Sequence, residues 1–176
     1  MNKVVPINQN QLSFKQIVAD LTELCQQDLV SVNTILLDKL DSNVPLVHEV
    51  AKYLILSGGK RLRPLLTVAS YHMINNEIIP NENTINHIGL AAAVEFIHAA
   101  TLLHDDVIDE SKQRRGKPTA NEKWKNKTSV LVGDFLFSRA FQLMTKYGNS
   151  NTLKILADTS VTISEGEVLE LANDKN

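Results

Sequence analysis

Residues 95–110 read EFIHAATLLHDDVIDE, a run of Ala, Leu, Ile and Phe that ends in three aspartates, Asp105, Asp106 and Asp109. The apolar part has the composition of a buried helix, so its last turn is an unusual place for three negative charges. At about 100° per residue, Asp105 and Asp109 stand some 40° apart on one face, and His98 falls in the same stripe two turns earlier. The two carboxylates can therefore reach one ion. A helix C-terminus is unfavourable to anions, so a cation would make the arrangement comfortable. An all-oxygen ligand set is the preference of Mg²⁺, which usually completes its shell with substrate phosphates. The competing reading is a solvated acidic helix end, which is common. The apolar stretch before the aspartates favours a cavity instead.

Working outward, two compact basic segments bracket this helix: GGKRLRP at 58–64 and RRGKP at 114–118. Lys60 and Arg63 precede a helix that Pro64 starts, whose free N–H groups favour an anion, and a guanidinium fork adds bidentate recognition of oxygen. GGKRLRP lacks P-loop spacing and on its own also fits an ordinary charged turn, as does the Arg114-Arg115 pair. Taken together, an acidic helix end that suits a metal and two cationic loops describe a site for two diphosphates. One would be held through metal and the other directly by side chains.

The 3.6-residue period predicts helices at about 11–40, 45–57, 64–78, 84–110, 120–147 and 150–171, with no persistent period-two alternation, so the fold class is all-α. Pro45 and Pro64 suit first helical turns, Gly58-Gly59 a stop, and Gly148-Asn149-Ser150 a stop followed by a new cap. The chain has 176 residues with 43% hydrophobic, and no repeat or linker divides it. It reads as one domain over 1–176, with residues 1–10 as a loose arm. With 18 Lys+Arg against 20 Asp+Glu, nothing suggests nucleic acid as a partner. One cysteine excludes a disulfide framework and a cysteine-based zinc cage. The first twenty residues do not read as a secretion signal, and the most apolar run, 89–103, reads as too short and too polar to span a bilayer, so a cytoplasmic chain is expected.

In order and spacing, GGKRLRP, EFIHAATLLHDDVIDESKQRRGKP, LVGDFLFSRAF (131–141) and EGEVLEL (165–171) resemble the trans-polyprenyl diphosphate synthases, most closely the long-chain type. The resemblance runs from about Val44 to the last residue and implies an isoprenoid synthase helical bundle, generally a homodimer. It implies that Asp105 and Asp109, with Asp106 in the same motif, bind Mg²⁺ bridging an allylic diphosphate. Lys60, Arg63 and His98 match positions that hold isopentenyl diphosphate; Arg114 matches an allylic-diphosphate contact and Arg115 an isopentenyl diphosphate contact. The implied reaction lengthens an allylic diphosphate such as farnesyl diphosphate by five-carbon units, giving a long all-trans chain for isoprenoid quinones, with transient membrane-surface contact for product release.

Thr101 and Ala100 lie about 6 and 7.5 Å down the helix from Asp105. Family members with short products tend to carry aromatic rings there, so this chain resembles the long-chain kind. Phe135, Phe137, Phe141 and Met144 are candidate tunnel walls, although such residues at helical spacing also read as plain core. The family's second aspartate-rich motif is absent through Asn176. The chain thus reads as the N-terminal half of a synthase, with apolar faces that a half-bundle would expose. Two alternatives stand beside the enzyme: a non-catalytic diphosphate-binding or regulatory subunit, and a terpene cyclase, against which the GGKRLRP loop argues.

Overall fold

The computed structural model describes residues 13–75 and 85–173. It contains α1 (Phe14–Leu24), α2 (Gln26–Asp38), α3 (Pro45–Leu56), α4 (Leu62–Asn75) and α5 (Ile85–Ile108). A two-stranded hairpin follows, β1 (Gln113–Arg114) and β2 (Lys117–Pro118), then α6 (Ala120–Tyr147) and α7 (Ser150–Asn173). The all-α expectation holds. The loose arm expected over residues 1–10 lies outside the described residues.

α5 is the axis of the bundle, with α2, α4 and α6 packed against it. Its buried side includes Ala91, Ala92, Ala93, Phe96, Ala99, Ala100 and Leu103. Small residues let neighbouring helices come close, and Phe96 fills the centre without exposed surface. At 24 residues α5 is longer than the apolar run read from sequence. By length and composition alone it could cross a membrane, a correction to that reading, but in this bundle it is the buried core helix.

Gly89 of α5 meets α6 so closely that an added Cβ would lie 2.1 Å from the Tyr147 ring. Gly89→Ala is therefore expected to lower the melting temperature. Overpacking of about 1–3 kcal/mol outweighs the gain in helix propensity of at most about 1 kcal/mol; an unchanged or raised thermal melt would contradict the close approach.

Three local breaks were not anticipated. The helix expected over 11–40 divides at Cys25 (φ −97°, ψ 11°) and is finished by Leu40. α6 is interrupted at Lys125, whose φ of 75° lies in the left-handed region. The RRGKP segment is a hairpin with Arg115 and Gly116 at φ 53° and 75°, the signature of a tight primed turn. Strands of two residues are too short to leave an alternation in sequence. The predicted stops do occur: α3 ends before Gly58, whose φ is 89°, and Asn149 caps α7 by accepting from Thr152 N at 2.9 Å.

α7 buries none of its described residues, and Ile155, Val161, Val168 and Leu169 are all more than half exposed. The expected open apolar face is therefore present on this helix. Of the candidate walls, Met144 is 4% exposed and belongs to the packed core, which removes it from the set; Phe137, half-buried against the core, meets the exposed Phe141 edge to face at 5.3 Å. Ala100 is likewise wholly buried, so only Thr101 of that pair reaches an open surface.

Candidate diphosphate and metal site

The two basic segments, far apart in sequence, close on each other over the middle of α5. A Cβ added to Gly59 would lie 2.9 Å from an Arg115 guanidinium nitrogen, so the glycine is what lets that side chain lie against the α3–α4 loop. Lys60, Arg61, Arg63, His98 and Arg115 then line one cleft of about 470 Å³, together with Gly59, Leu62 and Glu95. The four residues matched to isopentenyl diphosphate, Lys60, Arg63, His98 and Arg115, are thus brought together. Lys60, Arg63 and Arg115 are exposed and stand open to an anion.

The middle arginine has a different task, which motif reading missed. Arg61 sits at φ 48°, turns inward, donates to Glu95 Oε1 through Nη1, and donates to the Ile55 carbonyl through Nη2 at 2.8 Å. Glu95 is 6% exposed and needs such a partner. The pair pins the loop to α5 and leaves Lys60 and Arg63 outside. The one available signal was a glutamate in the midst of an apolar helix.

His98 lies beneath this positive group. Burial first, and then Arg63, Arg115, Arg114 and Arg61, push its imidazole down to about 4. His98 is neutral at neutral pH and offers a single N–H to an anion. The unfolded chain takes up this proton near 6.5, before the folded chain does. Stability linked to His98 is complete above about 6.5 and is lost as pH falls toward about 4. An NMR titration of the His98 ring should show a midpoint near 4 that rises when a diphosphate offsets the arginines; a midpoint near 6.5 in the free chain would refute this environment.

The three aspartates separate into two kinds. Asp106 is 2% exposed; its Oδ1 accepts from Arg114 Nε and Nη2 at 3.0 and 2.9 Å. Its carbonyl accepts from Ser111 N and from Asn121 Nδ2. Tyr53 fixes the far side of the hairpin by donating to the Pro118 carbonyl at 2.7 Å. Asp106 therefore holds the hairpin and aims Arg114, whose sequence match was to the allylic diphosphate.

Asp105 and Asp109 remain available: among the described residues neither side chain has a hydrogen-bond or ion-pair partner. Burial, then Glu167 of α7 and the neighbouring Asp109 and Asp106, raise the Asp105 carboxyl above its ordinary range, with Arg114 opposing. Glu167, from EGEVLEL, is the acidic neighbour that sequence spacing could not place. Two carboxylates one turn apart, in a field of like charge, fit a hard divalent cation with oxygen ligands.

A family model described as Polyprenyl synthetase matches residues 44–176. The chain is 46% identical over 153 residues to octaprenyl diphosphate synthase of Escherichia coli K12, covering 87% of this chain and 46% of that protein. Among solved structures, a decaprenyl diphosphate synthase from Rhodobacter capsulatus superposes with a TM-score of 0.81 at 51% identity, over 88% of this chain and 46% of that one. A polyprenyl synthase from Caulobacter crescentus, complexed with calcium and isoprenyl diphosphate, gives 0.81 at 49% identity, over 88% and 45%. The chain spans about half the length of these relatives.

Proposed function

The chain belongs to the polyprenyl synthetase family, and from that premise we propose that it serves in the condensation of isopentenyl diphosphate with an allylic diphosphate such as farnesyl diphosphate, building a long all-trans polyprenyl diphosphate. The observation that carries this reading is the cleft in which Lys60, Arg63, His98 and Arg115 converge beside α5, together with the unpaired Asp105 and Asp109 farther along the same helix. The cationic cleft suits a diphosphate held directly by side chains, and the acidic end suits one held through Mg²⁺. When bound, Mg²⁺ supplies the charge neutralisation that lets the allylic diphosphate depart.

The residues of the chain would do the rest. Asp105 and Asp109 orient the metal-bound headgroup, and Arg114, held by Asp106, points a fixed positive charge at the departing oxygens. Lys60, Arg63 and Arg115 place isopentenyl diphosphate so that its double bond attacks the allylic carbon; the proton then lost leaves with the released diphosphate. Thr101, a small side chain on the open surface of α5, leaves room for a growing tail. We further propose a cytoplasmic protein working as a homodimer, with its apolar product passing to a membrane surface.

Titration of the purified chain tests this. Farnesyl diphosphate should bind only with Mg²⁺, isopentenyl diphosphate without it, and Lys60→Ala or Arg63→Ala should weaken the second by roughly 10- to 100-fold, the worth of a lost charge-assisted hydrogen bond. Labelled isopentenyl diphosphate, farnesyl diphosphate and Mg²⁺ incubated together report elongation by chromatography. Failure of both diphosphates to bind would remove the reading.

A further inference from the structure

At the other end of α5, 18 residues and about 27 Å along the helix from Asp105, three side chains from three helices converge. Asp28 of α2 has its Oδ2 at 2.6 Å from His72 Nε2 of α4 and at 3.2 Å from His87 Nε2 of α5. One ligand atom from each lies within 4.8 Å of the other two. His87 is 6% exposed and its ring lies parallel to Tyr71 at 3.9 Å, while His72 meets it edge-on at 5.6 Å. The other nitrogen of His87, Nδ1, is buried without a hydrogen-bond partner among the described residues. Packing against Tyr71 and the approach to Asp28 therefore hold the ring, with Nε2 aimed at the carboxylate.

We propose that Asp28, His72 and His87 form a binding site for a transition-metal ion of the Zn²⁺ class, which fastens α2 and α4 to the N-terminal end of α5. Tetrahedral Zn²⁺ with bonds of about 2.0–2.1 Å separates its ligand atoms by roughly 3.3 Å. The Asp28–His87 spacing already meets this, and the Asp28–His72 spacing needs to open by roughly 0.7 Å. Two imidazoles and one carboxylate suit a borderline ion, in contrast to the all-oxygen ligands that Mg²⁺ and Ca²⁺ take. The chain thus carries two chemically distinct cation sites at opposite ends of one helix. A water completes the fourth position, and the role is structural, because the site lies far from both diphosphate-binding regions.

Calorimetry on the chain, stripped with EDTA and titrated with ZnCl₂, provides the test, alongside the visible spectrum with Co²⁺. One equivalent of Zn²⁺ is expected to bind, to raise Tm by several degrees and to resist excess Mg²⁺; Co²⁺ should give the intense bands of four-coordinate cobalt. Asp28→Asn, His72→Gln and His87→Gln should each weaken binding at least about tenfold, whereas Asp105→Asn with Asp109→Asn should leave it intact. Loss of binding in that last variant, or no change in the first three, would overturn the assignment. If a variant fails to fold, the wild-type cobalt spectrum decides: weak octahedral bands would show that the triad is only a hydrogen-bonded His–Asp–His cluster.

Discussion

Asp106→Ala is expected to destabilise the chain by about 3 kcal/mol, because it strands the Arg114 guanidinium beside a buried void. The side chain of Asp106 is 2% exposed and that of Arg114 33%, so the loss should fall at the low end of the range for a broken buried pair. In a chain of this size it corresponds to a fall in melting temperature of about 6–12 °C. Asp106→Asn keeps the shape with a weaker neutral acceptor and should lose about half as much. Asp106→Leu combined with Arg114→Met should recover most of the stability, since apolar replacement of both partners removes the stranded charge. Urea unfolding decides the matter: a change below about 0.5 kcal/mol for Asp106→Ala would place the pair with weak surface ion pairs.

The second large effect concerns ligand binding. Replacing Asp105 and Asp109 together with alanine should weaken Mg²⁺-dependent binding of farnesyl diphosphate by about 100-fold or more, two charged ligands at roughly 1.5–3 kcal/mol each. Stability should hold or rise slightly, because Asp105 is raised by its acidic neighbours and removing like charges relieves them. Affinity for isopentenyl diphosphate should stay near the unaltered value. Unchanged farnesyl diphosphate binding would mean that the two aspartates form only a solvated helix end. The opposite signs expected for stability at Asp106 and at Asp105 with Asp109 are a sharp internal check, since all three belong to one DDxxD motif.

That division was not legible in the sequence. Spacing on α5 put Asp105 and Asp109 on one face and left Asp106 as a motif member, but its pairing with Arg114 depends on how the hairpin is seated, by Tyr53 of α3 on the Pro118 carbonyl and by Asn121 on the Asp106 and Ser111 carbonyls. α3, with its buried Val50, Ala51 and Ile55 face, and α5, apolar almost all round, were readable because burial and local propensity agree. The break at Cys25 and the left-handed Lys125 carry no glycine or proline to announce them. Likewise Lys60, Arg63 and His98 could be named from residue type, whereas Arg61 looked equivalent to its neighbours until its inward turn toward Glu95 was seen. The Asp28, His72 and His87 group stayed invisible because three different helices contribute one side chain each, with Asp28 44 residues from His72 and 59 from His87.

The hairpin after α5 seats Arg114 and Arg115 side by side, yet one arginine reaches inward to Asp106 and the next lies over Gly59. Arg114 ends β1 while Arg115, at φ 53°, opens the left-handed turn, so insertion or deletion of a single residue between Ile108 and Arg114 would shift which residue occupies each of these two places. Each cation would then serve the wrong neighbour, even with every charge retained. The length of that short connection is therefore held as tightly as its chemistry, and natural variation there should run to substitutions and avoid frame changes.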